Sequence, residues 1–579
     1  MSRDSHSLQA LALDRPGRVA LGGMPEGYDA SIMGHFAQLA APTPLLYVAP
    51  DDARLASARD CLAFFAPEVE CISIPAWDCL PYDRVSPRND LVSERISSLV
   101  TLAAGNKGAR IVLVTVNALL QRVPPRGALA QAAYSIKKGA ELNTEALFAY
   151  LESNGFTRGG TVMEAGDYAV RGGIIDIFPP GALEPVRLDL FGETLEAIKT
   201  FDPVSQRSDG TLEALQLVPV SEVVLNDDSI ARFSAGYRTQ FGAVTDADPL
   251  FEAVNAGRRY PGMEHWLPLF HSELETIFDY APGALIIFDH LSEGACGDRW
   301  EAIDDYYCAR TEGPGALAEF SIEDYKPLPP EMLHLTREER DRRFAEHAVA
   351  TISPYSAEAA PERQVFDMGG RQGRIFVAER SKLTGELFES VQAYLEKEIR
   401  AKNRMLVAGW SVGTRERISR LLSEHGVDNM SPVEDWRAAE NLPAAAIALA
   451  VLPMEHGFTA PGLTVVAEQD ILGDRLNRRQ RRRRVKLEEF LADASELSQG
   501  DLVVHADHGI GRYDGLVTLD VDNLPHDCLR LLYDGDDRLL LPDQSASKVG
   551  EFKRFHSRSD VQLLPRLRLT RYRHADCTT

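Results

Sequence analysis

Val19-Ala20-Leu21-Gly22-Gly23-Met24-Pro25-Glu26-Gly27-Tyr28-Asp29 decides how the first part of this chain is read. A short apolar run enters a G-x-x-x-x-G spacing, and an Ala- and Leu-containing stretch follows, the order of strand, tight turn and helix. Apolar runs at residues 45–48, 71–74 and 111–116 repeat the rhythm with helical stretches between them. A parallel sheet with helices on its faces is predicted. The turn has the spacing of a phosphate loop without its chemistry. Such a loop needs Lys to reach the β/γ-phosphates and Ser or Thr to hold Mg²⁺. Here Tyr28 and Asp29 stand at those positions, and Glu26 adds a second carboxylate. Gly22, Gly27, Tyr28 and Asp29 therefore form a degenerate loop at which ATP hydrolysis is not expected. An ordinary strand–turn–helix crossing accounts for the spacing as well.

Downstream the rhythm changes. Between about Ala133 and Val218, Gly-rich turns (Gly159-Gly160, Gly172-Gly173, Gly181) separate strand-like runs, which reads as an inserted α+β module. An α/β pattern then returns, ending in Ala284-Leu285-Ile286-Ile287-Phe288-Asp289, so one domain is read as split by the insert. Residues from about Gly313 to Pro361 are rich in Pro, Glu and Arg and include a linker, taken as 331–361. A second α/β unit follows over 362–470. Its first helix carries Leu387, Val391, Tyr394, Leu395 and Ile399 at helical spacing. Residues 475–486 hold eight basic side chains in twelve positions. Beyond them, turn signals at Asp514-Gly515 and Asp534-Gly535 punctuate a strand-rich segment that reads as a small β-barrel.

Composition bounds the rest. The chain has 579 residues, a formal net charge of −24 and 44% hydrophobic residues, enough for several packed cores. Net acidity argues against a surface that coats nucleic acid, though not against a local basic site. The apolar stretch 442–454 is interrupted by Pro and short of the ~20 residues a membrane helix needs. No secretory signal opens the chain. Seven scattered cysteines without a C-x-x-C pair fit reduced thiols and a cytoplasmic location, and give no metal framework.

Candidate chemistry is sparse. Asp289, at the end of a buried strand, occupies the place of a metal-binding Asp in an ATPase, but with no Lys loop to serve it reads as structural. His505-Ala506-Asp507-His508 reads as a turn between strands rather than a ligand set. No catalytic motif is recognised, and no metal site. The Arg run, Arg478, Arg479, Arg481, Arg482, Arg483 and Arg484, is either a solvated connector or a nucleic-acid or acidic-partner contact. In Val186-Arg187-Leu188-Asp189-Leu190-Phe191 the alternation turns Val186, Leu188 and Leu190 to a core and Arg187, Asp189 and Phe191 to the outer face. An Arg beside an exposed Phe is either a solvated face with one stray aromatic or the composition of an interface hot spot.

Five segments carry a resemblance: Trp77-Asp78-Cys79-Leu80-Pro81-Tyr82-Asp83 with Ser86-Pro87; Tyr168-Ala169-Val170-Arg171-Gly172-Gly173-Ile174-Ile175-Asp176-Ile177-Phe178-Pro179; Phe201-Asp202-Pro203-Val204-Ser205-Gln206-Arg207-Ser208; Asp470-Ile471-Leu472-Gly473-Asp474-Arg475; and Val503-Val504-His505-Ala506-Asp507-His508-Gly509-Ile510-Gly511-Arg512-Tyr513. In order and spacing the chain resembles the N-terminal half of the bacterial transcription-repair coupling factor family (Mfd). The resemblance implies a multi-domain α/β fold. Residues 1–132 and 219–330 would be a split UvrB-like domain with a degenerate phosphate loop, and 133–218 an inserted module that binds UvrA. After the linker, 362–470 would be a third α/β domain and 471–497 an Arg-rich linker. Residues 498–558 would be a CarD-like, Tudor-type barrel that binds the β subunit of RNA polymerase, and 559–579 a divergent tail.

By motif match Arg171, Arg187 and Phe191 would contact UvrA, and Leu519 would be the apolar contact with the polymerase. DNA would be contacted weakly or indirectly, and no membrane. In the family the barrel leads into an ATP- and Mg-dependent DNA translocase motor that releases stalled polymerase. No motor pattern is expected within these 579 residues, so no cofactor is assigned and the chain is not read as an enzyme. A truncated or frameshifted reading frame is the expected origin of its tail. Alternative readings are a nucleic-acid-binding or CarD-like transcription regulator, or a residual ATPase or helicase.

Overall fold

The structure is a computed structural model. It describes residues 7–473, apart from 84, 106–107, 133, 243–247, 312–324, 357–363 and 381–385, together with the strands at 502–505, 509–521, 524–532 and 538–542. Two units are distinguished, 1–474 and 475–579.

The architecture is multi-domain α/β. In the first unit a seven-stranded, all-parallel sheet runs Gln364–Asp367, Gly17–Gly22, Ala348–Ile352, Leu285–Asp289, Leu45–Ala49, Arg110–Thr115, Glu70–Ile74. Its central strands read as continuous apolar runs because both faces are covered by helices. Local signals set the helix boundaries. Asp51 caps Asp52–Phe65 by accepting from the Arg54 N–H, and Thr115 caps Val116–Leu120. Val116, read as the end of a strand, therefore opens a helix.

The described part of 331–361, read as a linker, belongs instead to the domain built on this sheet. It holds the helix Arg337–Ala345, with a capping box at Thr336 and Glu339, and the strand Ala348–Ile352, paired on both sides. The sequence Arg337-Glu338-Glu339-Arg340-Asp341-Arg342-Arg343 has almost no apolar stripe, which disguised the helix. Gln364–Asp367, assigned to the beginning of the second α/β unit, is the edge strand beside Gly17–Gly22.

Inserted between these strands is an antiparallel sheet, Ser208–Leu212, Thr194–Phe201, Val186–Phe191, Ile174–Ile177, Asp167–Arg171, closed at one edge by a parallel two-residue strand, Thr157–Arg158. One face packs on the helix Thr144–Ser153 through Leu147, Leu151, Tyr168, Ile175, Leu188 and Ile198. Entry and exit are stapled by the pair Tyr134–Lys137 and Ala214–Leu217.

A second α/β sheet, Arg371–Gln372, Phe458–Ala460, Leu463–Ala467, Arg404–Gly409, Ile447–Val451, Met430–Val433, follows, its last four strands parallel. The helix Glu386–Arg400 lays Val391, Tyr394 and Leu395 into its core. The two α/β sheets are not insulated from each other. Tyr28 and Phe65 of the first meet Phe458 of the second, with ring centroids 5.7 and 6.2 Å apart, and Phe65 also meets Trp436.

In the second unit, Leu502–His505, Gly509–Val521, Leu524–Leu532 and Arg538–Pro542 form an antiparallel meander. Asp514-Gly515, read as a turn, lies within a strand: Tyr513 faces Leu531 and Gly515 faces Arg530, so Asp514 is the extra residue of a bulge. Asp534-Gly535 and the Arg run 475–486 lie outside the described residues.

Candidate functional site

Two places carry the candidate residues: the phosphate-loop turn and the outer face of the inserted sheet. At the turn, Asp29 is fully buried at the start of the helix Tyr28–Ala40. Its Oδ1 accepts from the N–H groups of Gly27 (2.9 Å) and Ala30 (2.6 Å). Those are the donors a phosphate would use at a helix N-terminus, so the protein's own carboxylate fills the anion position. The cation position is also filled. Arg54 reaches from the next helix to Asp29 Oδ2 and, through Nε at 3.1 Å, to Asp289 Oδ2. Burial pushes the Asp289 carboxyl up, but hydrogen bonding to His290, the Arg54 charge and the Leu291 N–H outweigh burial and hold it below its ordinary value. Asp289 is thus the second anchor of an internal ion network rather than a bare strand end.

Tyr28, standing where the loop Lys would be, donates its hydroxyl to the Met368 carbonyl at 3.0 Å. Burial pushes it up to about 12. Gly27 has φ 86°, which favours glycine, and a Cβ there would press on Met454 Cε at 2.5 Å and on the Phe458 ring at 3.0 Å. The loop is closed by charge, by packing and by backbone. No group of His, Cys, Asp and Glu among the described residues is arranged to hold a metal, and no helix among them is long and apolar enough to cross a membrane. His505 pairs with Gly509 across a hairpin; residues 506–508 lie outside the described residues.

On the inserted sheet, register decides which side chains share the outer face. Arg171 lies opposite Ile174, Ile174 opposite Asp189, and Asp176 opposite Arg187. Across the next ladder Arg187 faces Lys199 and Phe191 faces Thr194. The alternation placed Arg187, Asp189 and Phe191 together, and the structure does the same. It also adds Ile174, Asp176 and Lys199, which only cross-strand register could reveal.

The face has two halves. At one end Arg187 makes a bidentate pair with the buried Asp176 (Nε–Oδ1 2.7 Å, Nη2–Oδ2 2.9 Å) and stacks 4.6 Å over the Phe201 ring. Beneath it Val162, Ala169 and Phe201, with Phe178 beside them, form a small second core. At the other end Phe191 is 77% exposed and Ile174 37%, beside the two-residue turns Gly172-Gly173 and Gly192-Glu193. Arg171 is exposed, its guanidinium donating to the Gly160 carbonyl (3.2 Å from Nε), and it pairs with no carboxylate among the described residues.

Leu519 sits on Gly509–Val521 opposite His526. Arg478, Arg479, Arg481, Arg482, Arg483 and Arg484 lie outside the described residues.

A plugged phosphate loop in a split parallel sheet, a half-open face on its insert and a separate four-strand meander define a multi-domain α/β chain built of UvrB-like, D3 and CarD-like segments. Residues 134–222 match the UvrB interaction domain, 398–471 the MFD D3 domain, and 497–552 the CarD-like/TRCF RID domain. None of these three is a motor domain. The chain is 30% identical over 515 residues to the transcription-repair-coupling factor of Escherichia coli (88% of this chain, 43% of that protein). It is 32% identical over 553 residues to that of Myxococcus xanthus (89% and 44%), and 29% over 485 residues to that of Haemophilus influenzae (83% and 40%). The chain belongs to the transcription-repair-coupling factor (Mfd) family, and spans less than half the length of these relatives.

Proposed function

We propose that this chain is a coupling adaptor for nucleotide excision repair, binding the β subunit of RNA polymerase through its CarD-like segment and UvrA through the inserted sheet, and so bringing the repair machinery to polymerase stalled at a lesion. The observation that carries the reading is the open end of the inserted sheet. An exposed aromatic, an exposed aliphatic and an uncompensated Arg lie together on an otherwise well-packed module, the composition of an interaction hot spot.

The polymerase contact rests on the meander. Leu502–His505 pairs with Gly509–Val521 only as far as Arg512, and beyond that the strand has no partner on that edge among the described residues. The free edge around Leu519 suits strand addition, in which main-chain bonds give affinity and side chains give specificity. Closure of 498–558 into a Tudor-type barrel, the domain limits at 132, 218, 470 and 498, and a cytoplasmic location belong to the same proposal. DNA contact by the Arg run is weak or indirect in this reading. ATP and Mg²⁺ serve the family's translocase motor, and no turnover is assigned to the Gly22–Asp29 turn.

Pull-down of the full chain with purified polymerase β subunit and with purified UvrA tests both hands. Leu519→Glu is expected to lose the polymerase and keep UvrA; Phe191→Ala is expected to do the reverse. Undiminished binding by either variant removes the corresponding assignment.

A further inference from the structure

The three family positions on the inserted sheet are not equivalent. Of the five N–H donors of Arg187, two are bound to Asp176, and a third reaches the Gln206 carbonyl at 3.3 Å. Its plane is stacked on Phe201, and the side chain is 18% exposed. Hydrogen bonding to Asp176 holds its pKa above the ordinary value. A partner carboxylate would have to displace Asp176, which has almost no access to water and would then lie buried and unpaired.

Ile174 has the opposite circumstances. It opens its strand directly after Gly172-Gly173, lies in register with Arg171 on one side and Asp189 on the other, and is diagonal to Phe191, within reach of an aromatic ring. Nothing stands within 4 Å of a Cβ built on Gly172 or Gly192, so both turns are open at this end of the sheet. Lys199 and Asp189 neutralise each other at 2.6 Å on the adjoining row.

We propose that Ile174 is the third contact of this face, with Arg171 and Phe191, and that Arg187 is a positioning residue acting through Asp176 and Phe201. The inference rests on the reading of this sheet as the UvrA-binding module and specifies what the partner offers: an apolar pocket for Ile174 and Phe191 with a carboxylate at its rim for Arg171. Burial of both apolar side chains supplies affinity, and Arg171, whose guanidinium has no carboxylate partner among the described residues, supplies orientation.

The test uses the full chain and purified UvrA, with affinity and melting temperature measured together. Ile174→Asp, facing Asp189 across the ladder, should lower melting slightly and weaken binding tenfold or more, while Ile174→Thr, which keeps the β-branched shape at this 37% exposed position, should leave melting nearly unchanged and still weaken binding. Arg187→Ala should weaken binding and lower the melting temperature, because Asp176 loses its partner. Arg187→Met combined with Asp176→Leu rebuilds the covered end without charge, and should recover both melting and binding. Full binding by Ile174→Asp overturns the contact role. A double variant that melts like the wild type yet stays unbound overturns the positioning role, since the Arg187 charge would then itself touch the partner. Absence of binding by the wild-type chain overturns instead the reading of the module, an outcome distinguishable from both.

Discussion

Replacing Arg54 with Met tests what the internal cation contributes to the phosphate-loop turn. Met keeps most of the length and the apolar stem, and removes the guanidinium that joins Asp29 to Asp289. Both carboxylates are buried. Removing one partner of a buried pair costs about 3–5 kcal/mol, because an uncompensated charge remains. Two carboxylates lose the same cation here, so the upper end of that range is expected at pH 7.

The cost depends on pH, and its sign follows from Asp289. In the wild type its folded pKa lies below the ordinary 3.8, so its contribution is complete above that value and is lost as pH falls through the folded pKa. In Arg54→Met burial keeps its upward push and loses a principal offset, so Asp289 takes up its proton at higher pH. The gap between wild type and variant is therefore widest near neutrality and narrows towards pH 4. Urea unfolding across a pH series measures it, with hydrogen exchange at the Gly27 and Ala30 amides as the local reporter. A difference at pH 7 below about 1 kcal/mol, the range of exposed pairs, or one that does not change with pH, would refute Arg54 as the counter-ion of this turn.

Three further outcomes are expected. Millimolar Mg·ATP leaves the melting temperature of the chain unchanged, since Asp29 already holds the loop donors; a saturable rise would show a nucleotide site open after all. Arg95→Met breaks the fully buried pair with Glu222 (2.9 Å) and costs about 3–5 kcal/mol in urea unfolding, while adding Glu222→Met recovers part of it, the Trp77 N–H losing its acceptor in exchange; a double variant no better than the single one contradicts this account. His265, buried against Trp77 and Tyr82, is held down to about 4, burial being the first cause. The unfolded chain then binds the extra proton between about pH 6.5 and 4, so about 3 kcal/mol of stability is lost as pH falls through that window. Calorimetry should show His265→Phe to be flatter there, and equal slopes would exclude the assignment.

Where apolar runs are long and locally bounded, residue patterns sufficed. Residues 45–48, all but the last of 111–116, and the stripe Leu387, Val391, Tyr394, Leu395, Ile399, fall on the strands and helix described. Ala348–Ile352 was hidden because five residues between a highly charged helix and a Pro-containing stretch carry little periodic signal, although the strand lies near the centre of its sheet.

The five resembling segments are legible as sequence, but their physical work is not. Trp77 donates to Glu222 at 2.6 Å, and Ser86 links Glu264 to the Gly262 N–H. Asp470 gathers the N–H groups of Gly457 and Ala467. Trp77 and Ser86 are joints between stretches far apart in the chain, and Asp470 ties its own helix to a neighbouring loop. The partner face was half legible. Alternation along Val186–Phe191 found one strand's contribution, but Ile174 and Asp176 belong to the face through pairing with that strand, which no single segment encodes. Asp29 as a surrogate anion was also out of reach. The substitution for Ser or Thr was visible, but a carboxylate turned back onto its own loop depends on Arg54 arriving from another helix.

The strand order has a consequence for biogenesis. Residues 134–217 hold both ends of the inserted sheet, so that module can mature as soon as it leaves the ribosome. The parallel sheet around it cannot: Gly17–Gly22 waits for Ala348–Ile352 and Gln364–Asp367, more than three hundred residues later. At about 5–20 residues per second, the nascent first strand stays without lateral neighbours for roughly 15–70 seconds. During that interval its unpaired edge is a natural client for chaperones, and rare codons placed between Asp289 and Asp367 would lengthen the exposure.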